Sequence, residues 1–192
     1  MRRLLHHSVN NTPSFGSGPD EGKYSMLNNF NIFGLQVGLT FVSFILIARS
    51  YIWPRVISAP GDAGLRALVA TNMFRQIGLA FVLSPQIVGS DVPHSWTEPI
   101  AYGDLVSVVL AIVAFAGLNR RAAWARGMTW IFNIVGFVDF INAYAQGVML
   151  QAWTFNLGFA WLIATLLAPP YMVIHVMIFM CLLKRPGKQA GA

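Results

Sequence analysis

Charge is what this sequence has least of. Only 10% of its 192 residues are charged, against about 25% in an ordinary soluble domain. With 56% hydrophobic residues and a mean hydropathy of +0.58, water is excluded as the solvent for most of the surface. Cysteine is nearly absent. Cys181 stands alone, so neither an internal disulfide nor a thiolate metal site can form, and it reads as a small buried residue. No lysine falls within an apolar run, which excludes a retinal Schiff base inside a bundle. H-E-x-x-H, G-x-S-x-G, a phosphate-cradling glycine loop and a cysteine pair are missing as well, so no enzyme is expected. Carboxylate chemistry on a lipid would need an acid facing a lipid-sized cleft, and no motif supports it.

Five long apolar runs fill most of the chain, near 30–53, 65–88, 100–118, 123–150 and 157–183. Each approaches the roughly 20 residues that cross a bilayer as a helix. They are too long for buried strands, and in hydrocarbon only a helix satisfies its backbone within one segment. The expected fold is therefore all-α, a polytopic transmembrane bundle of about five spans over residues 27–185. Residues 1–26 read as a polar tail. Arg2 and Arg3 open it in the manner of a secretory leader, but no apolar h-region follows. Residues 186–192 form a second tail.

The net charge of +6 does not imply nucleic acid, because the basic residues sit at the ends of apolar runs. Arg49, Arg55, Arg66, Arg120, Arg121, Arg126, Lys184, Arg185 and Lys188 fall on one side of such a bundle, and Arg2, Arg3 and Lys23 on the other. The positive-inside rule then places the C-terminus in the cytoplasm and the N-terminus outside. Tyr51, Trp53 and Trp124 fall at the inner boundary and Trp96, Tyr102 and Trp153 at the outer one, where amphipathic rings prefer to sit. Short loops and the lack of a cleaved leader suit a bacterial inner membrane.

Three charged residues lie deep inside the runs: Arg75, Asp104 and Asp139. From the helical rise, Arg75 lies about 15 Å from the inner boundary, Asp104 about 6 Å below the outer one and Asp139 about 24 Å in from the cytoplasm. The carboxylates are thus at similar depth, within reach of an extended arginine. A lone charge at the bilayer centre costs at least about 2.5–3.5 kcal/mol, so Arg75 is expected to pair with Asp104 or Asp139. Gln36, Asn72, Gln76, Asn133 and Asn142 extend the polar layer. It reads either as an interhelical lock or as a pathway for protons or solutes.

His175 is the one histidine within a run and has the chemistry of a haem or pigment ligand. Asp91 and His94 make a D-x-x-H pair in a loop, two ligands short of a metal site. Pro169 and Pro170 remove two donors mid-span and are expected to kink or break the last helix. Gly34 and Gly38 form a G-x-x-x-G, a pattern permitting close helix approach. The leading expectation is a non-catalytic accessory or structural subunit of a membrane complex. It would contact membrane lipid or a hydrophobic pigment and pack against other membrane subunits or its own copies. The alternative is a proton-coupled or small-solute transporter using Arg75, Asp104 and Asp139. Expressed alone, the protein should sediment with membranes and leave them only in detergent; a compact, detergent-free particle after ultracentrifugation would overturn the membrane reading.

Overall fold

The computed structural model describes residues 21–82 and 88–184, with side chains from residue 29 onward. Residues 1–20 of the tail expected over 1–26, and the second tail at 186–192, lie outside the described residues. Helix α1 comprises Glu21–Ile47, a π-helical turn Ala48–Ile52 and Trp53–Ser58. Helix α2 is α-helical over Ala63–Thr71 and then 3₁₀ over Asn72–Val82. Helices α3 and α4 are His94–Asn119 and Ala125–Met149. Helix α5 runs Ala160–Leu162, a π-turn Ile163–Leu167 and Ala168–Leu183. No strand occurs among the described residues.

Four of the helices are long and apolar enough to cross a membrane: α1 from Asn29, α3, α4 and α5. The most apolar stretch of α1 is nowhere buried within the protein. Leu35, Leu39, Val42 and Leu46 lie open along it, a surface that hydrocarbon covers and water does not.

Several boundaries differ from the sequence expectation. Helix α1 starts at Glu21, inside the segment read as polar tail, and runs through Pro54 to Ser58, past the end of the first run expected near 53. Helix α3 starts at His94, ahead of the third run expected from about 100. Helix α5 passes Pro169 and Pro170 without a break.

The two proline passages share one device. Trp53 N–H bonds to Ala48 O and Ala168 N–H to Ile163 O, each five residues back. A proline follows at once, at 54 and 169. The wider turn relieves the clash between the proline ring and the carbonyl four residues before it. In α5 this leaves Ala164 O without a helical donor: Ala168 N–H is spent on Ile163, and Pro169 has none. Tyr144 Oη of α4 donates to that carbonyl at 2.6 Å. The proline thus creates a hydrogen bond between helices.

Helix α3 packs between the 3₁₀ half of α2 and α4, and α5 touches α1, α2 and α4. Ala101, Ser107, Ala111, Ala114 and Gly117 form the small-residue buried face of α3, which lets its neighbours approach closely. One apolar core gathers around Val69, Ala111, Phe132 and Ile178. A second gathers around Phe81, Ala101, Leu157 and Ile163. The polar layer lies between them.

Both ends are tied. Arg126 donates to Asp62 at 2.7 Å and to the last carbonyls of α5, Cys181 at 3.4 Å, Leu182 at 3.3 Å and Lys184 at 3.3 Å. It fills acceptors that every helix C-terminus leaves open. At the opposite end Gly89 N–H donates to Asn156 O at 2.8 Å and Asn156 N–H to Asp91 Oδ2 at 2.9 Å. Asp91 is therefore committed to Asn156, and exposed His94 does not join it.

Tyr144→Phe should cost about 1–3 kcal/mol by leaving Ala164 O unpaired. Adding Pro169→Ala, which restores a backbone donor, should recover much of that loss in detergent unfolding. An unchanged loss in the double variant would refute the account of the π-turn.

Candidate functional site: a buried arginine with every donor engaged

The 3₁₀ half of α2 has three residues per turn, so side chains three apart stack on one face. Asn72, Arg75, Gly78 and Phe81 are the buried set, at that spacing. Gln76, one position off the face, is exposed. That corrects the expectation that Gln76 joins the layer.

Arg75 is 1% exposed and carries five N–H donors. Nε donates to Asp104 Oδ1 at 2.7 Å. Nη2 pairs with the same oxygen and with Asp139 Oδ2 at 2.8 Å. Nη1 donates to Gly136 O at 3.1 Å and meets His175 Nε2 at 3.2 Å. The Phe140 ring lies under the guanidinium carbon at 3.9 Å. Every donor of one residue on α2 is thereby satisfied by groups on α3, α4 and α5.

The asparagine beside the histidine fixes its tautomer. Asn133 Nδ2 donates to His175 O at 3.1 Å, so its Oδ1 faces the ring. Oδ1 can only accept, hence His175 Nδ1 carries a hydrogen and donates at 2.7 Å. Nε2 is then a lone pair, suited to accept from Arg75 Nη1. His175 is fully buried between Phe132, Phe137 and Phe140. With both ring nitrogens occupied, it has none to offer the metal of a pigment in this arrangement.

Three glycines make the room. A Cβ on Gly78 would collide with the Asp104 carboxylate, and one on Gly103 with that of Asp139. A Cβ on Gly136 would stand 2.6 Å from Arg75 Nη1 and 2.8 Å from His175 Cε1. By contrast, Gly34 and Gly38 have nothing within 4 Å of such an atom.

Of the residues singled out in the sequence, the structure brings Arg75, Asp104, Asp139, Asn133 and His175 together. Asn72 is buried one 3₁₀ turn away; its Nδ2 donates to Leu68 O at 3.1 Å. Asn72 Oδ1 and Ser107 Oγ are buried with no partner among the described residues. Gln36 lies apart, accepting from Trp161 Nε1 at 2.6 Å and tying α1 to α5. Asn142 is exposed and pairs with Gln146 at 3.0 Å. Pro169 and Pro170 shape the π-turn behind Tyr144. Phe140, Tyr144, Gly78 and Gly103 escaped the sequence reading, although the Gly103-Asp104 dipeptide and the three-residue step from Arg75 to Gly78 are visible in it.

A cavity of about 600 Å³, its mouth included, opens beside this cluster. All five helices line it, with Phe33, Phe81, Trp96, Phe140, Tyr144 and Trp153 supplying aromatic rings. Asp104 is the one charged side chain among its described lining residues.

The model of a family described as a domain of unknown function (DUF8737) matches residues 32–183. The chain belongs to that family. The matched span takes in the whole Arg75 cluster and every described lining residue of the cavity. No curated protein and no solved structure matches the chain.

Arg75→Met would leave the buried Asp104 and the partly buried Asp139 carboxylates uncompensated and is expected to cost about 3–5 kcal/mol. Gly78→Ala, Gly103→Ala and Gly136→Ala should each cost about 1–3 kcal/mol by overpacking. Gly34→Ala and Gly38→Ala should stay within about 0.5 kcal/mol. Thermal unfolding in one detergent ranks the six, and uniform effects across the five glycines would disprove the wedge.

Proposed function

We propose that this protein is a non-catalytic integral membrane protein, an accessory or structural subunit whose Arg75 cluster is an internal lock. The observation that carries this reading is the saturation of Arg75. A transport path needs charged groups that exchange partners with a solute or a proton, and here all five donors are held by the protein on three other helices. Three glycines whose absent side chains leave space only for this arrangement support the same reading.

The bundle has five spans in this proposal. Helix α2 contributes 9 α-helical and 11 3₁₀ residues, a rise of roughly 35 Å, enough for a hydrocarbon core of about 30 Å. The basic end, where Arg126 gathers Asp62 and the end of α5, faces the cytoplasm, and the N-terminus lies outside. In a bacterium that membrane is the inner one. The apolar face of α1, with Gly34 and Gly38 open upon it, suits lipid and neighbouring membrane subunits.

Native mass spectrometry after gentle solubilisation should show the chain with other subunits or further copies of itself. A solitary 21.1 kDa species would overturn the subunit role. In proteoliposomes, Asp139→Asn should leave proton and solute fluxes unchanged; a flux that this variant abolishes would make the protein a transporter. In a Cys181→Ala background, an impermeant maleimide should label Thr154→Cys from outside and Ser58→Cys only after permeabilisation.

A further inference from the structure

The Arg75 cluster is not balanced. One guanidinium faces two carboxyl groups, so with both ionised it lacks one positive charge. Both contacts of Asp104 with Arg75 use Oδ1. Its Oδ2 receives no hydrogen bond among the described residues, although the side chain is only 9% exposed. That oxygen is not fully enclosed; it belongs to the carboxylate that lines the cavity, where apolar surroundings favour a ligand that brings its own donor.

The other walls determine what fits there. A bare metal ion would find a single carboxylate among otherwise apolar surfaces, too few ligands for any common ion. A neutral apolar molecule would fill the space but leave Asp104 Oδ2 unpaired. An organic cation answers both features. Its nitrogen can donate to Asp104, and rings such as Phe81, Trp96 and Trp153 offer faces that attract positive charge.

We propose that this cavity is a binding site for a lipophilic organic amine, seated with its protonated nitrogen at Asp104 and its apolar body among the aromatic rings. The site stands whether or not the chain assembles with other subunits. The amine source is a free molecule, because the described lining residues include no cation for the phosphate of an aminophospholipid.

The test uses the full chain in phosphatidylcholine nanodiscs and scintillation-proximity binding of tritiated dodecylamine, with tritiated dodecanol as the neutral comparison. Dodecylamine should bind saturably at one per chain and more tightly than dodecanol. Asp104→Asn should weaken the amine by about tenfold to a hundredfold and leave the alcohol unaffected. Asp104 also holds Arg75, so a second variant, Ala143→Phe, fills the cavity from α4 away from the guanidinium. It should abolish amine binding while thermal unfolding stays near that of the parent. Equal affinities for amine and alcohol, or amine binding that survives Ala143→Phe, would overturn the proposal. Phosphatidylethanolamine added to the nanodisc should fail to compete; competition would keep the amine site and move its source to the lipid.

Discussion

An arginine buried among membrane-length helices has few ways to exist, and the architecture follows from the one adopted here. A guanidinium has five hydrogens in a rigid planar fork, and each left unpaired away from water would cost heavily. Arg75 finds two carboxylates, a backbone carbonyl and a histidine nitrogen in the directions the fork demands. Those acceptors belong to three different helices, so rotation of any of them by a fraction of a turn would strand a donor. The interaction is worth more as a specifier of arrangement than as net stability, since desolvation offsets most of the Coulombic gain of buried ion pairs.

The backbone is adapted to that demand. An α-helix would swing Gly78 away from Arg75, whereas the 3₁₀ stretch stacks Asn72, Arg75, Gly78 and Phe81 in one line. Gly78 then admits the Asp104 carboxylate, Gly103 admits Asp139 and Gly136 admits the guanidinium and imidazole edges. Each glycine sits on a helix that also supplies part of the cluster, so backbone proximity and charge pairing arise together. The π-turn of α5 belongs to the same neighbourhood. It carries the chain past Pro169 and Pro170 and leaves the Ala164 carbonyl to the Tyr144 hydroxyl, at the wall of the aromatic cavity.

The arrangement also explains why the Arg75 cluster and the cavity adjoin. Two carboxylates occupy the fork from two helices, and that geometry leaves one oxygen of Asp104 without a donor among the described residues. An apolar space beside an unbalanced carboxylate favours a ligand that carries its own positive charge.

Much of this was legible in the residues, and the remainder has a physical explanation. Scarce charge and long apolar runs by themselves determined that hydrocarbon is the solvent, that the chain is helical and that Arg75 needs acidic company. Hydropathy and Coulomb energy depend on which residues are present and roughly how deep they lie. The identity of the full cluster depends on helix rotation, which only tertiary packing decides. Gln76 left the layer because α2 tightens to three residues per turn, and His175 entered it because α5 turns that face towards Asn133. Pro54 and Pro169 failed to stop their helices because a π-turn precedes each, a choice of hydrogen-bond partner that composition does not record. The wedging glycines stayed hidden for the same reason, since an absent side chain acquires meaning only once a neighbour fills its place.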